Sequence, residues 1–549
     1  MSRFALFFIA ALALSPICYS MQQKQADAPV FTTGTNFVQV PVIVQKSGKH
    51  VIGLKKKDFV LRQDGKEQPI ASFEEIRLGG GKLSADAQSQ FGNQSGQVPQ
   101  QISIIALDMV NTPNLDRAYF TQEFERYLSK SGPFGGPIAL VAIERSGIRI
   151  LREFTTNPRL LLSAITKDST AQPTAHNEPN LMVRQWSDSA LSKAGGEISA
   201  DAALLLGRRS ADEAMVRFQD RSSRIDVQLA IQQLAQALKG IPGRKSLLLV
   251  GSGYKFIDSN TVLKSMGGTA EVIYSVDNVG ESLDQAAYTW KLLNDANVAV
   301  YPIDTRRTVN TAFQSMDTSG ANTPSALTFE QNQQVDRDIL TSFKMIAAAT
   351  GGKPCFYRTD LDNCVREAIE DDHDYYLLGF YADKKNNKPG WHKVEVKTNE
   401  KASIRYRQGF ILAKFNPEAQ RKTDIGLALN SPFAYTALRF SGHFDSFTGK
   451  AAKFNLAIPP DAITVDESNG HIDFDVVAIA RAAGGKEAAR FNQHIDRKFS
   501  PESIAEIKRI GIDYTNRLEV ASGEYAVWFV VRDNLSGRTG SAVVPLKIP

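Results

Sequence analysis

Residues Gln101-Ile-Ser-Ile-Ile-Ala-Leu-Asp-Met-Val-Asn-Thr112 constrain this chain more than any other stretch. A short continuous apolar run, it stops abruptly at Asp108 and a polar loop, and a helix-like segment begins near Asp116. A run of this kind fits a strand buried on both faces, with its carboxyl end opening onto a loop. In parallel sheets that end is where sites are built.

The segments that follow alternate in the same style. A helix is expected over about 116–129, a hairpin around Ser146-Gly147, and a second helix from Thr156-Asn157-Pro158 through Ile165. Helical periodicity returns over 224–238. Ser246–Gly251 and Val298–Ile303 are further apolar runs, and Asp304 lies just beyond the second. Lys353–Tyr357 and Tyr375–Tyr381 are expected to complete the alternation. The expected fold is therefore α/β, a doubly wound and mostly parallel sheet over 101–388, with a polar insertion at 167–222.

Strands of a different style flank it. Residues 29–78 alternate as a small β domain with a turn signal at Asp64-Gly65, and 389–411 are expected to complete it. Residues 79–100, rich in Gly, Ser and Gln, form an expected linker. Residues 425–549 alternate with period two between turns, as in an immunoglobulin-like β-sandwich.

At 549 residues the chain is too long for one core. Its net charge of +5 is small and scattered, which argues against a nucleic-acid partner. Arg3, the apolar run Phe4–Leu14 and the small residues Cys18 and Ser20 form a secretory signal pattern, with cleavage expected after Ser20. No later segment has the length and apolarity of a transmembrane span, so a periplasmic or secreted protein is expected. In that compartment the two remaining cysteines, Cys355 and Cys364, are expected to form a disulfide, a reading favoured over two buried thiols.

Enzyme signals are sparse. The seven histidines are scattered, with no His-x-x-x-His pair for zinc. Gly251-Ser-Gly253 follows a strand like a nucleophile elbow but has Val250 at the first glycine position. Gly240–Ser246 has phosphate-loop composition but precedes its strand, so its amides would face the wrong end of the sheet.

Strand–Asp108-x-Val110-x-Thr112, followed by helix, hairpin, helix and strand, is similar to a von Willebrand factor A domain. The mature chain more closely resembles the VWFA-related family of acidobacterial type. The matching pieces are Val40–Val44, Leu54 with Asp58-Phe59, Asp64-Gly65, Leu107-Asp108, Asn111-Thr-Pro113, Pro242-Gly-Arg-Lys245, Asn297–Tyr301, Thr350-Gly-Gly352, Tyr375-Tyr with Leu378-Gly379, Arg405-Tyr-Arg407 and Gly409-Phe410. The resemblance implies a protein-binding domain with a metal-ion-dependent adhesion site for Mg²⁺ or Mn²⁺. Carried onto this sequence, Asp108, Thr112 and Ser252 would be its ligands, with Ser222 or Ser223 a weaker third-loop match. Two departures weaken the site: Val110 has no donor atom, and Gly251-Ser252 stands where the family has a later aspartate. A structural Asp108, capping its own loop, is the stronger expectation.

The expected function is thus protein–protein interaction or adhesion by a secreted or periplasmic protein. The loop face carries Asn111 and Asp304 as contact residues, the protein partner is unknown, and metal dependence is weak or absent. The alternatives are a cell-envelope or glycan-binding module acting through the C-terminal sandwich and, further back, a hydrolase using Ser252 or an acid pair in the 167–222 insertion.

Overall fold

The computed structural model describes residues 37–77, 91–93, 102–169, 222–252, 254, 281–306, 339–358, 360–371, 374–382, 388, 390–412, 417–448 and 451–548. The expected signal peptide, most of the 79–100 linker and most of the 167–222 insertion lie outside these residues.

The run Ile102–Asp108 is a strand with all seven residues buried. Its side chains alternate between two cores. Ile102, Ile104 and Ala106 face one built with the helices over 222–238, 281–295 and 339–350. Ile105 and Leu107 face another, built with Asn114–Lys130, Pro158–Ser169 and Leu361–Glu370. Full burial of each large aliphatic side chain is worth about 1.5–3 kcal/mol, and the small Ser103 is the one polar residue in the run before Asp108. In its five-stranded sheet the strand order is Val298–Asp304, Lys245–Gly251, Ile102–Asp108, Ile138–Glu144, Gly147–Thr155. The first four are parallel, and the last is antiparallel, closing the Ser146-Gly147 hairpin.

Among the described residues, parallel pairing of strands is confined to that sheet, and the expected fold class is overturned. The chain is mostly β, with 44% strand against 28% helix, and its sheets are mostly antiparallel. Two segments account for the difference. Asp374–Tyr381, expected to complete the parallel alternation, pairs antiparallel with Phe37–Lys46 on one side and Ser72–Arg77 on the other. Lys353–Tyr357 contributes an isolated bridge, Ile303 to Cys355, rather than a strand. A continuous apolar run reports burial on two faces, not which neighbour satisfies its backbone. For Asp374–Tyr381 those neighbours lie about three hundred residues or more upstream.

Residues 37–77 and 374–412 build two antiparallel sheets over one core. One has the order Ser403–Tyr406, Phe37–Lys46, Asp374–Tyr381, Ser72–Arg77, and the other Gly409–Leu412, Gly390–Thr398, Phe59–Gln63, Lys66–Gln68. Val40, Val42, Leu61, Tyr376, Phe380, Val394 and Phe410 meet between them. Asp64 and Gly65 take positive φ, 50° and 80°, as a tight two-residue hairpin turn demands.

The C-terminal residues form two further four-stranded antiparallel sheets, facing each other across Phe454, Leu456, Val476, Phe529 and Val544. Phe91-Gly92, from the stretch expected to be a linker, pairs with Ser441-Gly442 at the edge of one of them. The buried Asn93 side chain donates to Tyr435 O and Leu438 O and accepts from Phe440 N, which fixes that crossing.

A buried ion pair joins this sandwich to the helices of the mixed sheet. Asp424, on helix Pro417–Leu429, accepts from Arg532 Nε (3.1 Å) and Nη2 (2.9 Å), Tyr288 Oη (2.6 Å) and Gln236 Nε2 (3.0 Å). Among the described residues no helix is long and apolar enough to cross a membrane.

Candidate functional site

Three strands of the mixed sheet end together. The register places Leu107 beside Val250 and Gly251 beside Asp304, so Asp108, Gly251-Ser252 and Asp304-Thr305 share the carboxyl edge. This is the edge on which the sequence expects a site.

Asp108 is 1% exposed and turns back onto its own loop. Oδ1 accepts from Val110 N (2.9 Å) and Asn111 N (3.0 Å), and Oδ2 accepts from Asn111 Nδ2 (2.9 Å). This side-chain cap satisfies amides that the strand's end leaves without a ladder partner. Arg117, on the following helix, closes the loop by donating Nε to Thr112 O (2.7 Å) and Nη2 to Met109 O (2.6 Å). Val110 is buried in the core and contributes packing. That is why this position is apolar, and it leaves no donor atom there.

Thr112 Oγ1 accepts from Ser252 N at 3.2 Å. A Cβ on Gly251 would lie 2.9 Å from both Asp108 Cβ and Thr112 Oγ1. Close approach therefore requires glycine at the position where the resembling family has a loop aspartate. Ser252 Oγ and Thr305 Oγ1, at adjacent strand ends, are buried and have no hydrogen-bond partner among the described residues. No histidine or lysine among those residues therefore reaches the Ser252 hydroxyl as a base.

The expected contact residues are turned inward. Asn111 spends its backbone and side-chain amides on Asp108. Asp304, 4% exposed, grips Arg306 through its backbone N (3.0 Å), Nε (2.9 Å) and Nη2 (2.7 Å). The functional reading of the sequence missed Arg117 and Arg306. The Asp304-x-Arg306 spacing is the signal that finds the second, since a carboxylate and guanidinium two residues apart across a turn meet readily.

Burial pushes the Asp108 carboxyl above the usual aspartate range, while the Asn111 and Val110 donors and the Arg117 charge pull it back. The nearby Tyr254 hydroxyl is pushed well above its ordinary value, first by burial and then by the Asp108 charge. These residues do not fit Mg²⁺ or Mn²⁺. Such ions want about six oxygens in near-octahedral order. Here the one converging carboxylate is spent on three N–H donors, Val110 has no ligand atom, and Asp304 is neutralised by Arg306. A disulfide joins Cys355, which bridges to Ile303 of the Val298–Asp304 strand, to Cys364 on helix Leu361–Glu370.

No family model and no curated protein matches the chain. Among solved structures, a glycosyl hydrolase family 2 member from Bacteroides cellulosilyticus is similar at 11% identity and a TM-score of 0.15. The similarity covers 32% of this chain and 19% of that one, and at such a score it supports no statement about fold or activity.

Proposed function

We propose that this chain is a secreted or periplasmic protein-interaction protein related to the VWFA-related family, acting through the loop face at the carboxyl edge of its mixed sheet without a metal at Asp108. The observation that carries this reading is the state of that edge. Three loops start side by side there, pinned by Asp108, Arg117 and the Asp304–Arg306 pair. The Asp108 loop is ordered by its own hydrogen bonds as a contact surface, and among the described residues no base reaches the Ser252 hydroxyl beside it. Asp108 is then the loop's cap, and adhesion rests on loop shape and on exposed residues such as Pro113.

Site-specific photo-cross-linking tests this. A photoreactive residue at Pro113 is compared with one at Lys66, on the β unit built from residues 37–77 and 374–412, in intact envelopes. A discrete protein adduct from position 113 and not from 66 supports the reading. Equal adducts from both positions, or none from 113, sink it.

A further inference from the structure

Away from the mixed sheet, the hairpin formed by His471–Arg481 and Glu487–Lys498 carries two related strings, His471-Ile-Asp-Phe-Asp475 and His494-Ile-Asp496. Strand periodicity puts alternate residues on one face. The antiparallel register then sets Asp473 opposite Asp496 and Asp475 opposite His494. Asp473, His494 and Asp496 each offer one ligand atom, all within 4.8 Å of one another.

The surroundings hold these groups in place. Asn534 Nδ2 donates to Asp473 Oδ1 (2.6 Å) and Asp475 Oδ2 (3.0 Å), and its own Oδ1 accepts from Arg532. Asp475 is buried, with Oδ1 3.1 Å from His494 Nδ1. His471 Nε2 lies 2.7 Å from Asp496 Oδ1. Further along the same strands this face buries Val477 and Ile479 under helix Pro417–Leu429. On the same face lie the polar groups, Asp475 buried and His494 and Asp496 exposed. Arg421 of that helix reaches them, with Nη1 3.2 Å from His494 Nδ1 and Nε 3.7 Å from Asp475 Oδ2.

We propose that Asp473, His494 and Asp496 form a binding site for a borderline transition-metal cation of the Zn²⁺ class, with His471 and Asn534 orienting the carboxylates. Mixed imidazole and carboxylate ligands suit that class better than Mg²⁺ or Ca²⁺, which prefer oxygen alone. Zinc ligands at about 2.0–2.2 Å from the ion lie roughly 3.3 Å apart in a tetrahedron, so a small inward shift of the exposed His494 and Asp496 toward the half-buried Asp473 closes the set. Hydrogen-bonded partners behind the ligands are the usual second layer of such sites. Arg421, half-buried with its side chain 28% exposed, opposes the cation and must swing toward solvent for the ion to bind.

The test is calorimetric titration of ZnCl₂ into the untagged, chelator-treated full chain at neutral pH. The expected result is one ion per chain at micromolar affinity, weakened at least about tenfold in both His494→Ala and Asp473→Asn. Arg421→Gln is expected to bind more tightly. Asp108→Ala is expected to bind like wild type, which separates this site from the loop edge of the mixed sheet. Circular dichroism of each variant confirms the fold. Absent or millimolar binding by wild type, or unchanged affinity in a folded His494→Ala, overturns the proposal.

Discussion

Asp108→Ala is the perturbation that best separates a loop cap from a metal ligand. In the wild type its carboxylate accepts two backbone N–H groups and one side-chain amide at 2.9–3.0 Å, in a site that is 1% exposed. Hydrogen bonds to a charged acceptor contribute about 1.5–3 kcal/mol each, and buried donors left without one cost a similar amount. Desolvation of the carboxylate offsets part of that sum, so the expected loss is about 2–4 kcal/mol. Asp108→Asn keeps an oxygen for the two backbone donors. Its new amide faces Asn111 Nδ2, and a flip of the Asn111 amide turns that repulsion into a hydrogen bond. The expected loss is then about 1 kcal/mol or less.

The assay is equilibrium urea denaturation followed by tryptophan fluorescence. Trp290, buried in the mixed-sheet core and edge-to-face with Trp391 at 6.2 Å, reports on the right region. The pH dependence adds a sign. The folded Asp108 pKa is raised, so the residue's contribution is fully present below the unfolded value and is lost as pH rises through the folded one. Relative to wild type, Asp108→Asn should therefore gain stability as pH climbs through that window and stay level above it. An Asp108→Ala protein within about 0.5 kcal/mol of wild type would refute the cap. So would Mg²⁺ stabilising wild type but not Asp108→Ala.

Three further outcomes follow from the packing. Gly251→Ala, whose Cβ would sit 2.9 Å from Asp108 Cβ and Thr112 Oγ1, should cost about 1–3 kcal/mol in the same denaturation assay. Asp424→Ala leaves Arg532 buried and uncompensated and should destabilise by about 3–5 kcal/mol. Differential scanning calorimetry should then show the C-terminal sandwich melting apart from the rest. Replacing Cys355 and Cys364 together by alanine opens a loop with a sequence separation of 9 and should cost about 2–3 kcal/mol by urea midpoint.

The sequence made local elements legible wherever one periodicity governed them. Ile102–Asp108 declared itself by being apolar on both faces, and the strict alternation in 392–397 matched a strand with one face covered. Partner choice was not legible. Tyr375–Tyr381 and Ile102–Asp108 have the same apolar signature, yet one enters a parallel sheet and the other an antiparallel one. At the site, Val110 and Gly251 argued against metal from chemistry alone. What the sequence could not show is that Asn111 and Asp304 would bind their own loops instead of facing out. Burial of a polar side chain depends on the partners that folding brings to it. The His471 and His494 strings carry no helical zinc spacing, because these residues repeat with the period of a strand.

The motif residues that carry the family resemblance mostly hold joints, and this changes what the resemblance can mean. Arg244 donates its backbone N to Tyr375 Oη (2.9 Å), Nη2 to Tyr301 Oη (2.9 Å) and Gly351 O (2.9 Å), and Nη1 to Asp371 O. Arg405 pairs with Asp371, which also accepts from Tyr301 Oη at 2.9 Å. Five motif residues thus meet in one buried network at the end of the sheet opposite Asp108, binding it to the antiparallel β unit. Others do similar work. Gly352 approaches Val300 O so closely that a Cβ would lie 1.9 Å away, and Thr350 Oγ1 accepts from Val300 N. Tyr376 Oη spans Leu54 N and Val51 O, and Asp64 accepts from Lys393 N. Residues at such joints specify how the mixed sheet is mounted, and at the far edge Asp108 and Asn111 do the same for their own loop. These residues therefore account for how this chain's sheet is mounted, and they say nothing of a partner's identity.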